Sequence, residues 1–277
     1  MELSAESVWQ DLQEVRRRAP VVHNITNYVA MELSANGLLA LGASPVMAHA
    51  REELDDILAI SQALVINIGT LSPMWIESMR AAMKAARHRG LPIVLDPVGV
   101  GASRLRTRTA RELIEEVAPT IIRGNASEVI ALHADLRTTR GVDSSAAAEE
   151  ALEAGFQLSR RFECTVSISG EVDHIISGPQ QLRVMNGSAL MTRVTAMGCT
   201  ASALTGAFAA CVAAPLRAAT HAMAVMGVAG ELAARRAEGP GSLPAHFLDC
   251  LYRLSESELR DTLRLAQGPG REEASRP

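Results

Sequence analysis

The stretch PIVLDPVGVG (residues 92–101) decides the fold. Its apolar half is short and stops at Asp96, where a proline and two glycines follow, which is typical of a strand buried on both faces that ends in a loop. Similar apolar runs occupy residues 20–25, 63–69, 120–125 and 164–170. Because helical patterns separate these runs, the chain predicts an α/β fold with a mainly parallel central sheet and helices on both faces.

The remaining segments extend this pattern without a break that would demand a second domain. Two weaker strands at 174–177 and 181–185 flank a Gly-Pro pair, which predicts a hairpin at a sheet edge. After residue 198 the pattern is helical up to residue 266. We therefore predict one domain over residues 1–267 and a flexible C-terminal tail over residues 268–277.

The composition excludes several classes of function. The 277 residues carry 31 acidic and 27 basic side chains and only 3% aromatic residues. We therefore expect no nucleic-acid partner, which would need a basic surface or a base-stacking one. No segment is long and apolar enough for a membrane span, so no membrane partner is expected. The four cysteines form no CxxC pair and no Cys/His cluster, which indicates reduced thiols in the cytoplasm rather than a zinc site.

Polar, glycine-rich residues follow all five predicted strands. They are HNITN (23–27), NIGT (67–70), DPVG (96–99), RGN (123–125) and SGE (169–171). Ligands of such sheets bind beyond the carboxyl ends of the strands. We therefore expect the five clusters to converge on a single site at one edge of the sheet.

The turn VTAMGC (194–199) leads directly into a long helical pattern. The backbone N–H groups of Met197, Gly198 and Cys199 would face one point there, and the helix dipole would add positive charge. This arrangement predicts an anion hole for a transferred phosphoryl group, with Cys199 beside the reacting centre. From the spacing alone, a plain loop-to-helix junction with a buried small residue is the alternative.

Three further residues at the strand ends suit a nucleotide and its metal ion. Asp96 can bind hydrated magnesium or cap the next turn. Glu128 stands three residues after Asn125, which is also the spacing of a helix capping box. Arg123 ends an apolar strand and needs an anionic partner, for which a triphosphate is suitable. No Walker A motif occurs, and the glycines at 99–101 do not complete a dinucleotide-binding fingerprint.

Several of these stretches together resemble the hydroxyethylthiazole kinases. The matching stretches are HNITN (23–27), ANGLLALGASPVM (35–47), NIGTL (67–71), LDPVG (95–99), IRGNASE (122–128), GEVD (170–173) and VTAMGC (194–199). The resemblance covers nearly the whole chain and implies a ribokinase-like fold. It also implies magnesium- and ATP-dependent phosphorylation of the hydroxyl of 4-methyl-5-(2-hydroxyethyl)thiazole in thiamine salvage. Such enzymes are homotrimers with the thiazole site at the subunit interface.

The resemblance also implies roles for individual residues. The implied thiazole contacts are Asn27, Met47 and Ala196, and the implied ATP contacts are Arg123 and Ser169. Asp96 and Glu128 match positions near the magnesium ion and the phosphates. Cys199 stands at the position where other ribokinase-like kinases carry a catalytic Asp. Cys199 would orient the substrate hydroxyl and act as a weak base, for which the helix N-terminus must favour its thiolate.

The chain departs from the family at the anion-hole turn. The family's Gly-Ala-Gly-Cys is replaced by AMGC at residues 196–199. Alanine adopts a positive φ only at a cost, and Met197 adds bulk near the phosphate. We therefore expect the turn to form if φ at Ala196 is negative, and the departure bears on turnover more than on the class of substrate. Two alternatives remain open. One is a related kinase of the hydroxymethylpyrimidine type, although such a kinase would favour Asp at position 199, where this chain has Cys199. The other is a non-catalytic protein that binds thiazole or nucleotide.

Overall fold

Nine strands form one continuous sheet in the computed structural model, which describes residues 4–134 and 144–271. In chain order they are β1 (Val21–Ile25), β2 (Ser44–Val46), β3 (Ala63–Asn67), β4 (Ile93–Asp96), β5 (Ile121–Asn125), β6 (Thr165–Ser169), β7 (Asp173–Ser177), β8 (Gln180–Val184) and β9 (Leu265–Gln267). Their order across the sheet is β2-β1-β3-β4-β5-β6-β7-β8-β9. The strands from β2 to β6 are parallel, and β7, β8 and β9 pair antiparallel. Six carboxyl ends therefore lie at one edge.

Helices cover both faces of the sheet, as predicted. In chain order they are α1 (Ala5–Arg18), α2 (Met31–Leu41), α3 (Leu54–Ile60), α4 (Pro73–His88), α5 (Arg104–Glu116), α6 (Ala126–Ala134), α7 (Ser144–Phe162), α8 (Met197–Cys211), α9 (Pro215–Ala234), α10 (Leu243–Arg253) and α11 (Glu256–Thr262). Successive residues of β3 show why helices must cover both faces of the sheet. Val65 packs into the core with α1, α2 and α8–α11, whereas Ile66 packs into the core with α3–α7.

Two short edge strands were missed by the sequence patterns. β2 pairs with β1, and β9 pairs with β8 through the register Leu182↔Gln267. The predicted hairpin, β7 and β8, forms but is not at the sheet edge, because β9 covers it. The prediction of helix up to residue 266 is therefore wrong over β9, whose residues are extended.

The stretch predicted as a flexible tail begins within the described residues. The N–H of Gly268 donates to the carbonyl of Gln181 at 2.9 Å, and the N–H of Arg271 donates to the carbonyl of Pro179 at 3.0 Å. Residues 268–271 are thus hydrogen-bonded to the β7–β8 turn and to β8. The rest of the stretch, 272–277, lies outside the described residues.

Close packing of α8 on the sheet positions the site. A Cβ added to Gly206 would lie 2.6 Å from Val65 Cγ2 and 3.1 Å from Val22 Cγ1. Glycine at this position therefore lets α8 lie directly on β1 and β3. The first turn of α8 consequently reaches the edge of the sheet where the parallel strands end. Among the described helices, none is long and apolar enough to cross a membrane.

Candidate active site

Hydrogen bonds join neighbouring strand ends at the carboxyl edge of the sheet. Asn27, just after β1, donates from Nδ2 to Oδ1 of Asn67 at 2.8 Å, and Asn67 donates from Nδ2 to Oδ2 of Asp96 at 2.7 Å. All three side chains are buried. Further along the edge, Ser169 Oγ donates to the carbonyl of Gly124 at 3.4 Å. The strand ends thus meet at one edge, as expected from the sequence.

The first turn of α8 closes onto these strand ends. Asn27 donates a second hydrogen bond from Nδ2 to Cys199 Sγ at 3.3 Å, and Ser202 Oγ donates to Asp96 Oδ2 at 2.8 Å. Cys199 and Ser202 are three residues apart, so they share one face of the helix. We call Asn27, Asn67, Asp96, Cys199 and Ser202 the strand-end network.

The turn before α8 differs from the expectation at Ala196. This residue has φ 68° and ψ −6°, a left-handed conformation, so the turn forms without the negative φ on which its formation was expected to depend. Its carbonyl accepts the N–H of Thr200 at 2.8 Å, so α8 begins without interruption. The left-handed conformation costs alanine roughly 1–2 kcal/mol. The Met197 side chain is buried and packs in the core.

The surroundings of Cys199 favour its neutral thiol. Burial raises the pKa of the thiol, and the nearby charge of Asp96 raises it further, against the lowering effects of the hydrogen bond from Asn27 and of the charge of Arg123. These groups do not favour the thiolate that a base at this position would need. A neutral thiol that accepts from Asn27 can still hydrogen-bond to a hydroxyl, and so can orient it.

Asp96 is the most deeply buried carboxylate of the site. Burial raises its pKa to about 6; the positive charge of Arg123 and hydrogen bonds from Ser202 and Asn67 oppose this effect, and the charge of Glu128 adds to it. Two acidic groups therefore lie close to each other and to the guanidinium of Arg123. A divalent cation would stabilise this pair of carboxylates, and Mg²⁺ typically uses one or two carboxylates together with waters and substrate phosphates. The residues present fit a magnesium ion bound in that way.

Arg123 lies beneath the first turn of α8. Its Nη1 donates to the carbonyl of Gly198 at 3.0 Å, and a Cβ at Gly198 would lie 3.0 Å from the same atom. The Nε of Arg123 is buried without a hydrogen-bond partner. Among the described residues no carboxylate forms an ion pair with this guanidinium, so its charge remains available to an anion.

Glu128 forms the capping box that its spacing allowed. Its Oε2 accepts the N–H of Asn125 at 2.9 Å, and Asn125 Oδ1 accepts the N–H of Glu128 at 3.0 Å. The other oxygen, Oε1, accepts the N–H of Gly99 at 2.9 Å. Glu128 therefore also ties the loop after β4 to the start of α6. Each carboxylate oxygen retains a lone pair, so this geometry does not prevent a contact with a cation.

The remaining predicted residues, Met47 and Ser169, lie at the carboxyl ends of β2 and β6. Met47 directly follows β2, and His23 Nε2 donates to the carbonyl of Ala48 at 2.8 Å, which fixes the chain next to Met47. The last paired residues of β1 and β2 are His23 and Val46, so Met47 lies one residue and Asn27 four residues beyond this pair. Ser169 ends β6 opposite Asn125 in the register of β5 and β6.

Three residues of the site had no role in the sequence analysis. Asn67 and Ser202 belong to the strand-end network, and Arg106 joins two loops by donating to the carbonyls of Gly69 at 2.6 Å and Val98 at 2.8 Å. Asn67 stands in a quoted strand-end cluster, and Ser202 follows Cys199 by one helical turn, so both carried a signal. Arg106 carried none, because its partners are backbone atoms.

Comparison with known proteins gives this arrangement a family. The model of the hydroxyethylthiazole kinase family matches residues 12–257. The chain belongs to that family. Among curated hydroxyethylthiazole kinases, the one from Syntrophus aciditrophicus is 55% identical over 269 residues, which is 97% of this chain and 100% of that protein. The one from Nitratidesulfovibrio vulgaris strain Miyazaki F is 52% identical over 95% of this chain and 98% of its own length.

Solved structures agree with this family assignment. The hydroxyethylthiazole kinase protein from Pyrococcus horikoshii is 42% identical, with a TM-score of 0.88 over 95% of this chain and 99% of that one. A ribokinase-like superfamily protein from Enterococcus faecalis is 12% identical, with a TM-score of 0.68 over 93% of this chain and 96% of its own. At that identity the likeness shows the fold alone, which is the ribokinase-like fold that the resemblance implied.

Proposed function

We propose that this hydroxyethylthiazole kinase family member transfers the γ-phosphoryl group of ATP to the hydroxyl of 4-methyl-5-(2-hydroxyethyl)thiazole. The observation that carries the proposal is the chain of hydrogen bonds from Cys199 through Asn27 and Asn67 to Asp96. It links the thiol that meets the acceptor hydroxyl to the carboxylate that meets the cation. Both groups lie near the N-terminus of α8, where a phosphoryl group is electrostatically stabilised.

On the acceptor side, Asn27, Met47 and Ala196 hold the thiazole. The Nδ2 of Asn27 donates both to Cys199 and to Asn67, and its Oδ1 accepts the N–H of Ala30 at 3.0 Å. This full set of hydrogen bonds fixes the amide, and the amide in turn fixes the thiol. Asn27 thus serves the reaction by holding Cys199 where the substrate hydroxyl arrives.

On the phosphate side, Arg123, Ser169 and the amides of Met197, Gly198 and Cys199 bind the nucleotide and the moving phosphoryl group. Asp96 and Glu128 would hold a magnesium ion, which would neutralise charge at the phosphates. Within the described ranges no three His, Cys, Asp or Glu side chains cluster as a metal site. Two carboxylates suffice in this proposal because phosphate oxygens and waters complete a magnesium shell.

The neutral thiol of Cys199 is compatible with phosphoryl transfer. The transition state of such reactions is loose in most accounts, so positioning and charge neutralisation contribute more than removal of the hydroxyl proton. The bond between the γ-phosphorus and the bridging oxygen of ADP breaks while the acceptor oxygen bonds to phosphorus. The hydroxyl proton passes to solvent water, and ADP leaves with the electron pair of the broken bond. Cys199 orients the hydroxyl for this displacement.

The two alternatives are weaker after these findings. A hydroxymethylpyrimidine-type kinase is disfavoured by the family match over residues 12–257. The non-catalytic alternative rested on the altered turn, and Ala196 nevertheless supports an uninterrupted start of α8. No observation in the site now favours either of them.

The proposal includes a homotrimer and a cytoplasmic location. Three apolar residues beside the acceptor site support an interface there: Tyr28 is 66% exposed, Val29 is 61% exposed and Met74 is 77% exposed. Large exposed apolar side chains in one area favour contact with another protein surface. A subunit seated on them would border Asn27. The kinase domain in this proposal spans residues 1–267.

The test is a product assay. Purified protein is incubated with ATP, Mg²⁺ and hydroxyethylthiazole, and the phosphate ester is identified by ³¹P NMR and mass spectrometry. The expected result is one ester per ADP formed, with no ester when hydroxymethylpyrimidine replaces the thiazole. Absence of the thiazole ester under saturating substrates would overturn the proposal.

A further inference from the structure

Asn67 lies at the centre of the strand-end network. It ends β3 and is 1% exposed. Its Nδ2 donates to Asp96 Oδ2 at 2.7 Å, and its Oδ1 accepts from Asn27 Nδ2 at 2.8 Å and from the N–H of Gly69 at 2.9 Å. A buried amide with three such bonds is held in a single position.

The orientation of this amide is fixed by its partners. The N–H of Gly69 can only donate, so the atom of Asn67 that faces it must be the oxygen. The nitrogen of Asn67 must therefore face Asp96, whose carboxylate accepts. A carboxylate at position 67 would keep the acceptor toward Gly69 but would place an oxygen against Asp96 Oδ2.

Ser202 applies the same restraint to Asp96 from the opposite side. Its side chain is fully buried on α8, and its Oγ donates to Asp96 Oδ2 at 2.8 Å. Oδ2 therefore carries two hydrogen bonds, one from the sheet and one from the helix. Among the described residues none donates to the other oxygen, Oδ1. The carboxylate is thus held by one oxygen, and the second remains for an external partner.

We propose that Asn67 and Ser202 are positioning residues that hold Asp96 by Oδ2, so that Oδ1 meets the hydrated cation. Asn67 has a second effect, because it also accepts from Asn27, which holds Cys199. It therefore sets the spacing between the acceptor side and the phosphate side. This inference rests on the proposed function and assigns roles that the family resemblance did not give.

Two variants and a matched control separate positioning from packing. Asn67→Asp keeps the volume and the acceptor toward Gly69 but removes the donor to Asp96. Ser202→Ala removes the helix-side donor. Thr205→Val is the control, because Thr205 is an equally buried hydroxyl one turn further along α8. Among the described residues, its side chain hydrogen-bonds to the carbonyl of Ala201 alone, at 2.8 Å.

The readouts are steady-state kinetics with a Mg²⁺ titration, and binding of Mn²⁺ in the presence of ADP followed by electron paramagnetic resonance. A hydrogen bond to a charged group contributes about 1.5–3 kcal/mol, so each variant should lower kcat and weaken metal binding about tenfold or more. The KM for the thiazole should change much less. Thr205→Val should leave all of these values unchanged.

The outcomes decide the inference. Unchanged Mn²⁺ affinity and unchanged Mg²⁺ dependence in folded Ser202→Ala and Asn67→Asp would overturn it. If Asn67→Asp fails to fold, Ser202→Ala decides alone. If the wild type forms no thiazole ester, the proposed function fails, whereas the Mn²⁺ titration still tests whether these residues position Asp96.

Discussion

The guanidinium of Arg123 donates a hydrogen bond of 3.0 Å to the carbonyl of Gly198. The arginine side chain proposed to bind the triphosphate of ATP therefore also supports the turn that forms the anion hole. Phosphate binding and turn geometry are coupled through this one side chain.

Replacement of Arg123 should separate the two ligands. Arg123→Ala removes charge-assisted hydrogen bonds to phosphate, so ATP binding should weaken by about tenfold to a hundredfold. Hydroxyethylthiazole binding should weaken far less. Arg123→Lys keeps the charge without the planar donor geometry and should give an intermediate loss. Isothermal titration calorimetry measures both ligands, and equal losses for the two in Arg123→Ala would contradict the assignment.

The left-handed alanine in the same turn allows a stability test. Ala196→Gly relieves the strain at φ 68° and should raise the free energy of unfolding by up to about 1 kcal/mol. Because the turn is already formed with alanine, kcat should change by less than about twofold. Ala19→Gly is the control, since Ala19 has φ 43° at the end of α1, remote from the site. Chemical denaturation and kinetics of both variants are compared.

A large rise in kcat for Ala196→Gly would show that the alanine distorts the anion hole. Unchanged stability in both variants would show that neither backbone is strained.

The pH dependence of stability should contain a contribution from Glu231 of α9. Burial alone would raise the pKa of Glu231, but hydrogen bonds from Arg264 and Asn186 outweigh burial and lower the pKa to about 2. A lowered pKa in the folded state stabilises the protein above the ordinary value of 4.5, and this stabilisation is lost as pH falls toward 2. Glu231→Gln should therefore cost about 1–3 kcal/mol at pH 7.

The measurement is the unfolding free energy of wild type and Glu231→Gln between pH 7 and about pH 3. The difference between them should shrink as the pH falls below the ordinary value. Glu14→Gln, which removes an exposed partner of Arg17, is the control and should change the curve little. A difference that stays constant with pH would contradict the role of the Glu231 charge.

The central strands could be predicted from sequence because their residues are buried on both faces. Each residue of β3 from Ala63 to Asn67 is buried, so the apolar run itself marks the strand. β2 and β9 have three residues each and only intermediate or exposed side chains. These two strands form because they pair with β1 and β8. Such pairing leaves no pattern of apolar residues in the local sequence.

The site was predictable in its location but not in its connections. Polar residues after parallel strands must meet at one edge, which placed Asp96 and Arg123 together. Cys199 was placed at the reacting centre by the predicted helix N-terminus. The role of Asn67 depends on partners 29 and 40 residues away in the sequence, which no local spacing shows. The positive φ at Ala196 has no signal in the sequence, because the structure of the α8 start outweighs the intrinsic preference of alanine.

The most direct test of the account is the kinetics of Cys199→Ala. If Cys199 orients the substrate hydroxyl, its removal should lower kcat by about tenfold to a hundredfold, the value of one hydrogen bond made in the transition state. The dissociation constant of the thiazole should change little. Cys199→Ser should retain more activity than the alanine variant. Cys211→Ala, at the other end of α8, is the control. Wild-type kcat in a folded Cys199→Ala protein would contradict the account.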